Sequence, residues 1–259
     1  MCSSVLSVLV LGGALAFAQP NPKPPTPSFP KVDSDIPGPF HTYNVTGRKR
    51  DRYHCLVSEN GLNPVVMVVV RGVQVNDPLK YLLTQLDDAA KRPSTLAQLA
   101  PEDRREKLEK GLRQLQLGAF VVFVTDNLKD VARDDKQRGE LQKVLRDEFK
   151  NLVRIDEHRE SLEKELEEIE RGSKAVSSEK AAEIRKELDE LSRQRRLAVG
   201  LDAKNKLTKY QIDDKAEIFV LVYDRFRVVS LYSLTREQLT EEKAKQTLAD
   251  VAEKLGSRR

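Results

Sequence analysis

Pro64-Val65-Val66-Met67-Val68-Val69-Val70 is the stretch on which the fold turns. A run of β-branched residues with no polar alternation suits a strand covered on both faces, as in a sheet with helices on each side. Downstream, Asp77 and Pro78 supply a helix cap and a first turn, and Leu79, Leu82, Leu83 and Leu86 recur at three- and four-residue spacing. That helix ends near Lys91, before Pro93. A second helix over about 101–115 carries Leu108, Leu112 and Leu115 on one face, and Ala119-Phe120-Val121-Val122-Phe123-Val124 reads as a second buried strand. Strand, helices, strand predicts a parallel pair joined by a right-handed crossover.

Upstream, Thr42–Thr46 and Tyr53–Val57 read as two strands of a hairpin whose turn is the polar loop Gly47-Arg48-Lys49-Arg50-Asp51. Toward the C-terminus comes the longest periodic region. Leu141, Leu145, Leu152, Ile155, Leu162, Leu166 and Ile169 form a narrow apolar stripe among dense Glu, Lys and Arg, and the pattern stops at Gly172. Ser177 or Ser178 can cap a second helix carrying Ile184, Leu188 and Leu191. Two such helices read as an antiparallel, coiled-coil-like hairpin over 139–195, projecting as an arm. Its expected state is packing against itself, with pairing to another chain as the alternative. Arg196–Leu201 then reads as a short strand. Ala216–Tyr223 and Phe226–Ser233 form a hairpin closed by Asp224-Arg225, and Arg236–Leu255 is an amphipathic terminal helix.

The N-terminal region has a different character. Val5–Phe17 is almost wholly apolar and ends in Ala16-Phe17-Ala18, the small-x-small pattern of a cleaved export signal. Residues 1–18 are therefore expected to be a signal peptide and the protein exported, to the periplasm or outside the cell. Eight of the 12 prolines fall between Pro20 and Pro39, so residues 19–39 read as an extended, disordered spacer. The folded domain is expected at 40–255. No later stretch approaches the roughly 20 apolar residues of a membrane helix, and no membrane attachment is expected once the signal is gone. The chain holds 45 basic and 41 acidic residues, with 33% charged and 5% aromatic. That near-cancellation speaks against a nucleic-acid binder, which must neutralise many phosphates.

The order of elements, with Asn44-Val45-Thr46-Gly47, Tyr53-His54-Cys55-Leu56-Val57-Ser58, Asn63-Pro64-Val65-Val66 and Tyr210-Gln211-Ile212, resembles the thioredoxin fold of redoxin type. More narrowly it is similar to secreted bacterial thioredoxin-like proteins that often show Cys-x-x-Cys just before the first central strand. The resemblance implies an α/β domain with a central sheet, flanking helices and an N-terminal β-hairpin. Three departures bear on activity. Working thioredoxins carry their cysteines after the central strand, where Arg71–Asn76 has none. Ser58 stands where a second cysteine would complete the motif with Cys55, and a serine cannot resolve a mixed disulfide. The segment Lys209–Asp214 lacks the proline that shapes the family's substrate groove.

Cys55 is the candidate chemical residue. With His54 beside it and Arg48, Lys49, Arg50 and Arg52 nearby, it has the charge environment of a monothiol nucleophile or sensor. The alternatives are a small apolar residue buried on a strand face with Val57, or a disulfide between two chains. His41, His54 and Cys55 could meet across the hairpin, but a fourth ligand has no candidate and His158 lies on the arm, so no metal site is expected. The basic loop tip 48–52 is expected to be solvated. No phosphate loop, nucleophile elbow or distinct carboxylate pair occurs, and no cofactor is expected.

These readings lead to a domain without dithiol oxidoreductase activity that acts as an interaction or scaffold module. The alternatives are a monothiol redox protein using Cys55 with His54 and Ser58, and an adaptor working through the helical arm. A protein partner is expected at the arm or at Cys55. The sequence leaves the oligomeric state open.

Overall fold

Val65–Arg71 is the third strand, β3, of a seven-stranded mixed sheet in the order β2 (Tyr53–His54), β1 (Thr42–Asn44), β5 (Ala198–Ala203), β4 (Gly118–Thr125), β3, β6 (Ile218–Asp224) and β7 (Arg227–Leu234). The computed structural model describes residues 30–126, 128–172, 178–203, 208–210, 212 and 215–257. The apolar start, the Pro-rich residues up to 29, and Gln211, Asp213 and Asp214 lie outside the described residues. The chain runs through β1 (Thr42–Asn44), β2 (Tyr53–His54), α1 (Leu56–Asn60), β3 (Val65–Arg71), α2 (Asp77–Lys91), a 3-10 segment (Pro93–Leu99), α3 (Glu102–Leu112) and β4 (Gly118–Thr125). It continues through α4 (Asp135–Glu148), α5 (Lys150–Glu170), α6 (Ser178–Arg193), β5 (Ala198–Ala203), β6 (Ile218–Asp224), β7 (Arg227–Leu234) and α7 (Glu241–Gly256). Strands β3, β4 and β5 are parallel, β6 and β7 run antiparallel to their neighbours, and β1 pairs antiparallel with both β2 and β5.

The β3 run explains its own position. Its side chains alternate, so Val66, Val68 and Val70 enter one core while Val65, Met67 and Val69 enter the other, all nearly inaccessible. The first core holds the buried faces of α2, α3 and α7, including Leu82, Leu86, Leu112, Leu248 and Val251. The second is covered differently from the expected helix layer. Its non-strand members are Ile36 and Phe40, Cys55, Leu56 and Val57 around the short helix α1, and Tyr210.

Part of the stretch read as spacer belongs to this cover. Asp33 and Ile36 donate their backbone N–H groups to Val228 and Phe226 carbonyls at 2.9 and 2.8 Å, and Asp35 bridges Arg227. Ile36 and Phe40 are buried, so ordered packing begins before residue 40.

Local chemistry sets several boundaries one residue or more from where the sequence placed them. Asn76, in extended geometry, caps α2 by accepting the Leu79 N–H at 3.2 Å, which leaves Asp77 as the first helical residue beside Pro78. Thr240 caps α7 through Lys243 N–H, so this helix begins at Glu241 and not at Arg236. The β6–β7 turn is Arg225-Phe226, both left-handed with φ of 50° and 62°, the backbone hand that matches strand twist in a two-residue hairpin.

The apolar stripe from Leu141 to Ile169 is not one arm helix. Phe149, with φ −106° and ψ 30°, separates α4 from α5. Leu145 and Leu152 are buried in the main core, and Phe149 packs on Phe123 at 5.9 Å between ring centroids. Only the later part of α5 pairs with α6 alone. There Leu162 is buried with Ala181 and Ile184, and His158–Glu187 and Glu165–Lys180 pairs at 2.7 Å run in opposite senses along the two helices.

Candidate functional site

Cys55 lies between β2 and α1, not on a strand. The expected strand Tyr53–Val57 stops at His54 because Cys55 turns the chain into α1 as its N-cap, with φ −87° and ψ 106°. Its Sγ accepts the Ser58 backbone N–H at 3.4 Å and the Ser58 hydroxyl at 3.2 Å. The sulfur therefore does the work an Asp or Ser oxygen does at most helix starts. Cys-x-x-Ser has the spacing of a cap and its third helical residue, and that was the available signal for a helix here.

The thiol is 3% exposed and sits in the second core. Tyr210 and Tyr223 share this neighbourhood, and burial pushes both hydroxyls above the ordinary phenol value, helped by Cys55 at Tyr210 and by Tyr210 and then Cys55 at Tyr223. Both stay protonated. Tyr210 donates to the Gly38 carbonyl at 2.6 Å and packs edge-on against Phe40, which ties the N-terminal segment over the sulfur. The Tyr223 hydroxyl is buried and has no hydrogen-bond partner among the described residues. His54 turns to the Glu59 carboxylate at 3.3 Å. The structure thus brings Cys55 and Ser58 together and directs His54 elsewhere. Among the described residues, no three His, Cys, Asp or Glu side chains converge as metal ligands.

The basic loop between β1 and β2, expected to be solvated, is held in part by the arm. Arg50 forks onto Glu160 with Nε and Nη2 donating at 3.1 and 2.7 Å, and reaches Glu157 at 3.2 Å. Asp51 accepts Gln142 and Arg146 of α4 at 2.5 and 2.7 Å. Asp156 of α5 accepts the Gly47 N–H at 2.7 Å, and Arg159 donates to the Gly47 carbonyl at 3.2 Å. Burial raises Asp156 to about 6, against the opposing pull of the Gly47 bond and of Arg159 and Arg50. Of the cations that the sequence groups around Cys55, Arg50 and Arg48 are thus engaged by the arm, while Lys49 and Arg52 are exposed. Asp156, Arg159 and Glu160 carried no local signal, since their partners lie more than 100 residues away.

Below this clasp, a cleft of about 520 Å³ opens between the arm's base, the end of α1 and the starts of β4 and β5. Six cations line it: Arg48, Lys91, Arg159, Arg193, Arg195 and Arg196. Only two carboxylates do, Glu59 and Asp156. Lys91 and Arg196 are satisfied by Asp87, Arg193 by Asp189 and Arg159 by Asp156. Arg48 donates to the Ser192 carbonyl, and Arg195 makes long contacts of 3.4 Å to the Asn60 and Gln116 side-chain oxygens. Among the described residues neither has a carboxylate partner.

No family model matches this chain, and no curated protein matches it. Among solved structures, the crystal structure of Arabidopsis thaliana ScoI with copper bound is similar at a TM-score of 0.40 and 10% sequence identity, over 86% of this chain and 99% of that chain.

Proposed function

We propose that this chain is a thioredoxin-like domain of redoxin type that performs no dithiol exchange and serves, after export, as an interaction module presenting a helical arm. The observation that carries the reading is the state of Cys55. It is the free cysteine of the described residues, it is buried, and its sulfur is occupied as a helix cap by Ser58. Among the described residues no resolving thiol accompanies it, and a hydroxyl at position 58 cannot displace a disulfide sulfur. The connection after the central strand, where thioredoxins carry their cysteines, is also committed to structure. Arg236 donates to the Arg71 and Gln74 carbonyls at 2.6 and 2.8 Å.

The strand order supports the redoxin-type topology, with three parallel strands, an antiparallel pair at one edge and an N-terminal hairpin at the other. The outer portion of the arm supports a contact role, since its two helices pair with each other and carry charged residues on their exterior. A monothiol redox function is the second reading, favoured by the two donors on Cys55 Sγ, which would also stabilise a thiolate.

Two assays test the proposal. Disulfide reduction by the fully reduced chain should not exceed that of buffer containing the same free thiol. Shortening the arm between residues 161 and 187 should leave the thermal transition of the domain in place. Removing all of 139–195 would also strip Leu145 and Leu152 from the core, and is expected to unfold the chain. Catalytic turnover with Cys55 present, lost in Cys55→Ser, would instead establish the monothiol reading.

A further inference from the structure

We infer that the cleft under the arm is a binding site for a small phosphoryl-bearing ligand, held by Arg48 and Arg195. Among the described residues, two guanidinium groups face one cleft with no carboxylate within ion-pair distance of either, while every other cation around it has one. They come from elements far apart in sequence, the β1–β2 loop and the segment after α6. Arg195, half-buried, is pushed down first by loss of hydration and then by Arg48, against a smaller opposing pull from Glu59. Placing two like charges together in a partly dry cleft is unfavourable unless something of opposite sign joins them.

A dianion fits this pair better than a single carboxylate. Guanidinium forks match tetrahedral oxyanions and bind them through two parallel N–H donors, and a phosphate monoester balances two positive charges where one carboxylate balances one. The polar ends of Asn60 and Gln116 stand beside Arg195, ready to take further oxygens or hydroxyls. Leu115, Ala119 and Ala198 supply an apolar part of the wall against which a carbon skeleton can rest. A volume of about 520 Å³ falls within the roughly 300–1,000 Å³ of small-ligand pockets.

Because the two arginines sit on the loop and on the arm's return, an anion between them would tie arm and domain together. Binding therefore stabilises the folded chain by mass action.

The test is titration calorimetry on the full chain with inorganic phosphate and with pyrophosphate, at ionic strength held constant with chloride, together with thermal melts under the same conditions. The expected results are saturable heat, a rise in the melting temperature that chloride does not produce, and a loss of affinity of about tenfold or more in each of Arg48→Gln and Arg195→Gln. Melting of both variants without added anion verifies that they fold, and Arg195→Lys should keep part of the affinity. Phosphate acting no differently from chloride, undiminished binding in both glutamine variants, or tighter binding of citrate than of either phosphate probe would overturn the assignment.

Discussion

Asp156, midway along α5, accepts the backbone N–H of Gly47 at 2.7 Å across 109 residues of chain. Gly47 has φ +99°, and a Cβ there would stand 3.4 Å from the Ala198 side chain. One carboxylate thus fixes a left-handed loop position against the start of β5 and docks the arm's base on the sheet. It does so with charge buried, which makes the contact sensitive to pH.

The sign follows from the folded-state value of about 6 against an ordinary 3.8. The folded chain holds this proton more tightly than the unfolded chain. Asp156 therefore contributes most below about pH 4, and its contribution falls as pH rises from there to about 6. The difference is worth ~3 kcal/mol at full extent. Asp156→Asn keeps an oxygen for Gly47 and removes the charge. Denaturant titrations should find the variant equal to the parent at pH 4 and more stable by up to ~3 kcal/mol at pH 7.5. A less stable variant at pH 7.5 would mean that the charged form holds the clasp.

The fork of Arg50 on Glu160 should behave as a true pair and not as a surface ion pair. The Arg50 side chain is only 9% exposed, and both of its donors to Glu160 are close to ideal length. A double-mutant cycle with Arg50→Met and Glu160→Gln is expected to give a coupling of about 1–2 kcal/mol, above the median of exposed pairs. A coupling near zero would return the loop to the solvated state that its composition suggested.

Next to the Cys55 site, Tyr223 holds a buried hydroxyl with no partner among the described residues. Burying such a group without a hydrogen bond costs on the order of 1–2 kcal/mol. Tyr223→Phe should therefore raise stability by about that amount in equilibrium unfolding. A drop in stability would show that the hydroxyl has a partner, and that the core around the thiol is wetter than described.

What the sequence disclosed about this fold was what periodicity carries. The β3 run, the Leu79–Leu86 face of α2 and the final hairpin with its helix were all legible, because each element's pattern is local. The misreadings cluster where one residue serves two ends. Cys55 ended a strand and began a helix, and an alternating Tyr53–Val57 pattern cannot distinguish those. Leu145 and Leu152 continued a heptad-like stripe while turning into the domain core at Phe149. The clasp of Gly47, Arg50 and Asp51 with α4 and α5 was illegible because a long helix rich in acid offers many equivalent carboxylates, and only the packed fold selects Asp156 and Glu160.

The most direct test of the account is the native-state alkylation rate of Cys55, measured in the full chain carrying Cys2→Ser and compared with the same chain in denaturant. A thiol that is 3% exposed and serves as a helix cap should react only through opening of the fold. Labelling should then be slower than in the unfolded chain by about 10³-fold or more, and should accelerate in step with unfolding. Labelling of the folded chain at a rate within tenfold of the unfolded one would contradict the account and make Cys55 a working thiol.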